Sequence, residues 1–304
     1  MIGSNKHDSA PLRGMMLMTI AMLIIPGIDV FAKLLAPTMS TGQIVWYRFA
    51  VQSIIITPII LYHRLWVLPK GTFLTQFARG ILLAGATLFF FAALSALTIA
   101  QAIAIFFVEP LILTVISALF LGEVIRARRI VAIIIGFIGA MIIIRPTFMN
   151  VGAPALYPLG AAVCFAFYFL LTRKLSGKTN PFQLQWMVGI SATTVMGLSL
   201  LIGEETGIAV FQMSLPYGKE IGWVLGLGAI ATIGHLFLVY ATRYTQASIL
   251  APFQYLEIIS AVVFGFLVFG NTPDQATLIG VTIIIASGLY IFYREAQLRE
   301  PQSS

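Results

Sequence analysis

The sequence predicts an all-α membrane protein with ten transmembrane helices, arranged as two inverted five-helix repeats. Three observations lead to this prediction: the composition is strongly apolar, apolar runs recur along the whole chain, and the two halves share residues in the same order. Of the 304 residues, 59% are hydrophobic and only 10% are charged, whereas soluble domains carry about 25% charged residues. The lipid bilayer is therefore the expected surroundings of most of the chain.

Each predicted span is an apolar run of 17 to 22 residues, close to the roughly 20 residues that cross a hydrocarbon core of about 30 Å. Little sequence lies between these runs, so no soluble domain is expected. The predicted spans are 14–35, 43–62, 79–97, 101–121, 129–145, 154–173, 183–203, 220–241, 248–269 and 276–293.

The basic residues predict the orientation. With a cytoplasmic N-terminus, the inner segments hold 14 Lys and Arg residues, whereas the outer segments hold only Arg145 and Lys219. This excess is the positive-inside rule, so we expect both termini in the cytoplasm, and the net charge of +7 needs no nucleic-acid partner. The expected domains are a cytoplasmic N-terminal tail (1–13), a first five-helix repeat (14–147), a second five-helix repeat (148–293) and a cytoplasmic C-terminal tail (294–304).

An internal repeat relates the fourth and ninth spans. A shift of 148 places EPLILTVISALFLGE (109–123) over EIISAVVFGFLVFGN (257–271) and pairs Glu109 with Glu257. Five spans per half is an odd number, so the second half must enter the membrane from the opposite side. Such inverted repeats place a binding site near the bilayer midplane and support alternating access.

A second shift, of 140 residues, relates the earlier spans of the two halves. It pairs Lys33 with Arg173, Gln43 with Gln183, and Trp46 with Trp186. These matches keep the same order in both halves, which favours a duplication over chance similarity between apolar helices.

Glu109 and Glu257 are the main candidate site residues. At 1.5 Å per residue they lie at depths of roughly 12 and 13 Å from opposite faces of the membrane. A charge at the centre of a helix costs about 2.5 to 3.5 kcal/mol, so we expect these acids to contact a polar or cationic substrate group or to carry protons. The alternative is a protonated acid that hydrogen-bonds a neighbouring helix end.

Other polar and aromatic residues inside the spans are secondary candidates for substrate binding. Gln254 and Tyr255 lie within one turn of Glu257. His235, Tyr168 and Trp186 either line the same cavity or pack between helices.

Asp29, Lys33 and Arg48 form a separate candidate cluster. Asp29 and Lys33 are four residues apart and share a helix face, and Arg48 reaches the same level from the second span. The cluster is interpreted as an interhelical ion cluster that locks two spans, or as an external gate or anchor for a substrate carboxylate. The second half does not duplicate the set, which favours the structural interpretation.

Catalytic and cofactor motifs are missing from the sequence. It contains no HExxH, GxSxG, Walker A or strand-associated GxGxxG pattern, and three scattered histidines with the single Cys164 predict no metal site. We therefore expect no enzyme and no cofactor. Any driving force would come from a gradient of substrate, of an exchanged solute or of an ion such as the proton, and no obligate protein partner is evident. The glycines of GWVLGLG (222–228) predict a close helix contact.

Three stretches carry a family likeness: the acidic repeat quoted above, the Gly-rich GFIGAMIIIRP (136–146) and YLEIISAVVFGFLVFGNTPDQATLIGVTIII (255–285). Together they resemble the EamA-type carriers of the drug/metabolite transporter superfamily. The stretches IDVFAKLL, WYRF and APFQYLEIISA are most similar to bacterial carriers of S-adenosylmethionine. The resemblance implies ten helices around a central cavity in the bacterial cytoplasmic membrane.

The expected function is secondary active or facilitative transport of a small zwitterionic or cationic metabolite, such as S-adenosylmethionine or an amino-acid-like compound. Carriage of riboflavin or another aromatic metabolite is the alternative within the same class. A passive channel or a membrane scaffold is the alternative in a different class.

Overall fold

Helices account for all the regular secondary structure in residues 9–121, 127–175, 179–244 and 253–299, the part of the chain that the computed structural model describes. The α-helices are α1 (Ser9–Ile24), α2 (Pro26–Leu35), α3 (Thr41–Tyr62), α4 (Phe73–Leu94), α5 (Ile99–Phe106), α6 (Glu109–Leu121), α7 (Ala127–Val151), α8 (Tyr157–Leu175), α9 (Pro181–Thr206), α10 (Lys219–Tyr244), α11 (Leu256–Phe269) and α12 (Gln275–Arg299). Short 3₁₀ helices lie at Ala153–Leu156 and Ala209–Phe211. The predicted all-α class is confirmed.

Seven helical segments of the described chain are long and apolar enough to cross a membrane. They are Leu12–Leu35, Thr41–Tyr62, Phe73–Leu94, Ile134–Val151, Ala153–Thr172, Pro181–Thr206 and Lys219–Ala241. The predicted fourth, ninth and tenth spans correspond to shorter apolar helices, and residues 248–252 of the ninth lie outside the described residues. The described chain thus has the helices of a multi-pass membrane protein.

The predicted span 101–121 is not one continuous helix. Thr98 and Gln101 form a reciprocal capping box at the start of α5, which ends at Phe106. Pro110 has no N–H, so the carbonyl one turn earlier loses its usual donor and the helix is interrupted. The chain turns at residues 107–108 and restarts as α6 with Glu109 as its first residue.

The predicted span 79–97 begins too late. Helix α4 starts at Phe73 and includes Gln76 and Arg79, both completely buried. Hydropathy places such residues in a loop, but here the side chain of Gln76 donates to Thr72 and that of Arg79 donates to Thr172. Each side chain thus has at least one hydrogen-bond partner inside the protein, which allows the helix to extend.

Helices α3 and α9 pack antiparallel against each other. The indole N–H of Trp186 donates to Thr57 over 3.0 Å, and Trp46 lies against Gly197 at the other end of the pair. Trp46 and Trp186 are repeat counterparts, as are positions 57 and 197 under the same shift of 140. The two contacts are therefore equivalent under the predicted repeat.

Helices α7 and α12 approach each other through glycine. The stretches GAMIII (139–144) and GVTIII (280–285) are similar, and their glycines meet. A Cβ atom added to Gly280 would lie 2.6 Å from the carbonyl oxygen of Gly139, and one added to Gly139 would lie 3.0 Å from that of Gly280. Backbone cannot move aside as a flexible side chain can, so this contact requires glycine on both helices.

The predicted close contact in α10 concerned Gly222 and Gly226, which are four residues apart, and of these two Gly226 makes it. Gly226 lies against the ring of Phe31, whereas a Cβ atom at Gly222 would have no heavy atom within 4 Å. Gly222 is therefore free of the packing constraint that the sequence pattern predicts for it.

We expect Gly139→Ala and Gly280→Ala each to lower stability by about 1 to 3 kcal/mol, because the added methyl overpacks a backbone contact. Thermal unfolding in detergent micelles measures the effect. Gly222→Ala is the matched control and should leave the melting temperature unchanged or raise it, since Ala is the better helix former by about 1 kcal/mol. Equal stability of all three variants would contradict the close approach of α7 and α12.

Candidate functional site

A cavity with an empty volume of about 920 Å³, including space open to the surroundings, lies between helices from both halves of the chain. The polar side chains that line it are Asp29, Arg48, Thr87, Glu109, His235, Gln254 and Glu257. The site is therefore lined by charges of both signs.

Glu109 and Glu257 line this same cavity, as the repeat predicts. Glu109 is the first residue of α6, and its side chain is 6% exposed. Glu257 is in the first turn of α11 and is half-buried. Within the part of the chain that the structure describes, the Oε1 atom of Glu109 has no hydrogen-bond partner, so it is available to a ligand or a proton.

A ring contact joins the segments that lead into the two acids. The centroids of Phe107 and Tyr255 are 5.6 Å apart, and each residue precedes its acid by two positions. The shift of 148 that pairs Glu109 with Glu257 also pairs these two rings. The contact holds the starts of α6 and α11 against each other beside the cavity.

Arg48 enters the cavity from α3 and is 3% exposed. Its Nη1 atom donates to the Thr87 hydroxyl over 2.9 Å, and its Nη2 atom lies 3.4 Å from Nε2 of His235. The Nδ1 atom of His235 lies 2.9 Å from the carbonyl oxygen of Ala231. A carbonyl only accepts, so this assignment puts the ring hydrogen on Nδ1 and leaves Nε2 to accept from Arg48.

The predicted cluster of Asp29, Lys33 and Arg48 is divided in the structure. Asp29, which is 7% exposed, lines the cavity with Arg48, whereas the Lys33 ammonium donates to the carbonyl oxygens of Leu94 and Leu97. Leu94 is the last residue of α4 and Leu97 lies in the turn after it. Carbonyl groups at the C-terminal end of a helix lack an intrahelical donor, which makes them strong partners for a cation. Lys33 therefore ties α2 to the end of α4 and does not pair with Asp29.

Three of the predicted binding residues are not part of the cavity lining. Tyr168 is 5% exposed and packs its ring against the guanidinium of Arg79, 5.1 Å away. Trp186 donates to Thr57, and Tyr255 packs on Phe107. Of the secondary candidates, His235 and Gln254 do line the cavity.

An aromatic wall, which the sequence reasoning missed, forms much of the remaining lining. Phe90 and Phe106 meet edge-on at 5.7 Å, and Phe106 meets Phe165 at 5.4 Å. The wall comprises Phe90, Phe91, Phe106, Phe107, Phe165 and Phe169. The four-residue spacing of Phe165 and Phe169 was the available signal, but the same spacing is common in helices that face lipid.

The EamA-like transporter family matches residues 12–145 and 153–293 of this chain. The chain is 27% identical over 267 residues to the S-adenosylmethionine uptake transporter of Rickettsia felis, covering 88% of each protein. It is 33% identical over 194 residues to the riboflavin transporter of Vibrio cholerae, covering 63% of this chain and 61% of that protein.

A solved crystal structure shares the fold, with a TM-score of 0.61 at 16% identity, over 96% of this chain and 99% of the other. The relatives are named as transporters and not as enzymes, which agrees with the missing catalytic motifs. On the extent of the family match over both halves, the chain belongs to the EamA-like transporter family of multi-pass membrane proteins.

Proposed function

We propose that this protein is a carrier in the bacterial cytoplasmic membrane that moves a small zwitterionic or cationic metabolite by alternating access. The observation that carries the proposal is that two repeat-related acids, Glu109 and Glu257, line one cavity. S-adenosylmethionine is the first candidate substrate, because the relative in Rickettsia felis carries that name.

The charge of the cavity supports a substrate with a positive centre. Asp29, Glu109 and Glu257 contribute three carboxyl groups, whereas Arg48 contributes the one guanidinium among the described lining residues. An opposite charge at 4 Å is attracted by about 4 kcal/mol at an effective dielectric constant of 20. The aromatic wall adds a cation–π surface for a sulfonium or ammonium group.

A contact between repeat counterparts supports ten spans in two inverted halves. Phe107 meets Tyr255, its counterpart under the shift of 148. A two-fold axis through the molecule would place each of these residues against its own copy. The caps of α3 and α9 agree, because Ser40 and Asn180 are counterparts under the shift of 140 and both cap with a side-chain oxygen.

The hydrogen bonds of two glutamines, Gln43 and Gln183, support alternating access, because they lie at opposite ends of the helix pair α3 and α9. The Gln43 amide, completely buried at the start of α3, accepts from the backbone N–H of Ser214 over 3.1 Å and donates to its carbonyl. Gln183, at the start of α9, donates to the carbonyl oxygens of Leu65 and Val67 over 2.8 and 2.7 Å.

Each glutamine therefore hydrogen-bonds the loop that follows the other helix. The two sets of hydrogen bonds lie at opposite ends of the antiparallel pair. In the predicted orientation Gln43 is at the outer face and Gln183 at the inner face. A carrier that opens to each side in turn would break the hydrogen bonds of one glutamine and keep those of the other. The two residues are repeat counterparts, as this exchange requires.

Glu257→Gln and Glu109→Gln should each lower uptake of labelled S-adenosylmethionine into proteoliposomes at least about tenfold, because a neutral amide no longer attracts the positive centre. Glu205→Gln is the matched control, since Glu205 is exposed at the end of α9, and it should transport normally. Wild-type rates in both cavity variants, with intact insertion, would exclude the two acids as substrate ligands.

The mechanism can be tested by counterflow. Proteoliposomes loaded with unlabelled S-adenosylmethionine should transiently accumulate the external labelled compound above equilibrium, because a carrier returns with one substrate bound. A passive channel equilibrates without this overshoot. Flux that does not saturate and shows no overshoot would favour the channel.

We expect Gln43→Ala and Gln183→Ala to shift cavity access in opposite directions. Removing one or two hydrogen bonds, each worth about 1 kcal/mol, should change the populations of the two arrangements about fivefold or more. A Leu238→Cys reporter in a Cys164→Ala background, labelled by an impermeant maleimide from the outside, should react faster with Gln43→Ala and more slowly with Gln183→Ala. A change in the same direction for both variants would contradict the exchange.

Riboflavin is the second candidate substrate, supported by the aromatic wall and by the relative in Vibrio cholerae. A thermal-shift panel with S-adenosylmethionine, riboflavin and neutral amino acids should raise the melting temperature only for compounds that bind the folded protein. Stabilisation by riboflavin that persists in Glu109→Gln and Glu257→Gln would favour the aromatic metabolite.

A further inference from the structure

Arg48 carries a buried charge that the two glutamates do not explain. Arg48 is 3% exposed and lines the cavity, and its Nε atom has no hydrogen-bond partner among the described residues. The other two nitrogens meet Thr87 and His235. Among the described residues, no carboxylate oxygen hydrogen-bonds this guanidinium.

The two partners of Arg48 hold the side chain in place but do not neutralise it. The Thr87 hydroxyl donates to the carbonyl of Leu83 over 2.8 Å, so it can only accept from Arg48. His235 is a neutral imidazole in the assignment that its Ala231 contact requires. Asp29 lines the same cavity and acts electrostatically on Arg48, but no hydrogen bond joins the two side chains. A cation inside the membrane is costly without a directly paired counter-charge, so the guanidinium keeps donor capacity for an anion.

We infer that Arg48, held by Thr87 and His235, binds the carboxylate of a zwitterionic substrate whose positive centre lies at Glu109 and Glu257. This inference rests on the proposed function and goes further, because it separates zwitterions from simple cations. A guanidinium offers five N–H donors in a plane and pairs with both oxygens of a carboxylate. Thr87 and His235 are then positioning residues.

The arrangement also gives the substrate one orientation. Arg48 and its partners come from α3, α4 and α10, whereas the two glutamates come from α6 and α11. A zwitterion can satisfy both groups at once, whereas a cation without a carboxylate leaves the arginine unpaired. The second half has Val188 where the first half has Arg48. The repeat therefore supplies a guanidinium to one side of the cavity and not to the other, and the substrate carboxylate is expected on the side of Arg48.

The test compares S-adenosylmethionine with its decarboxylated form, which keeps the sulfonium and the adenosine but lacks the carboxylate. In calorimetric titrations of the purified protein, the wild type should bind S-adenosylmethionine at least about tenfold more tightly, as expected for a charged hydrogen bond. Arg48→Gln should abolish this preference. Thr87→Val should reduce it, and provides a second test if Arg48→Gln does not fold.

The ratio of the two affinities is the readout because a general loss of stability lowers both affinities together. Arg79→Gln is the matched control: Arg79 is a completely buried arginine outside the cavity lining, and its removal should leave the ratio unchanged. Equal binding of the two compounds by the wild type, or full preference in Arg48→Gln, would overturn the carboxylate subsite while the proposed function stands. Binding of neither compound by the wild type would overturn both the proposed substrate and the subsite.

Discussion

The absence of water from the hydrocarbon core is the constraint on which the rest of this structure depends. Each backbone N–H and C=O group there needs an internal partner, so a helix can be interrupted only where protein or a cavity surrounds the break. The turn between α5 and α6 meets this condition. Phe107 and Val108 are buried and donate to the carbonyls of Ile103 and Ile105, and the interruption brings Glu109 to the cavity at the start of a new helix.

The same constraint explains how the buried cations are arranged. Lys33 is held by carbonyl oxygens at the end of α4, Arg48 by a hydroxyl and an imidazole, and Arg79 by Thr172 and the face of Tyr168. In each case neutral groups orient the cation and satisfy part of its hydrogen bonding. Only Arg48 is oriented in this way at the edge of an open cavity, which is what distinguishes it from the other two.

The helical class could be predicted from hydropathy, and the placement of Glu109 and Glu257 at one cavity could be predicted from the internal repeat. Both signals are visible in the sequence itself. The partner of Lys33 could not, since carbonyls at the end of another helix leave no trace in side-chain pattern. The aromatic wall was not predicted for a related reason: the sequence around Phe165 in an apolar span looks the same whether its ring faces lipid or a cavity. The position of the Tyr168 ring could not be predicted either, because its contact with the Arg79 guanidinium joins residues far apart in the sequence.

The ring contact between Phe107 and Tyr255 has a mechanical meaning in the proposed inverted repeat. Points on a two-fold axis do not move when the two halves exchange their arrangements, whereas the ends of the helices move furthest. In the proposed exchange, this contact would act as a pivot: the two mouths of the cavity would move around it, while the spacing of the two acids would stay nearly constant. The residues proposed to hold the substrate would therefore move less than the helix ends that open and close the cavity.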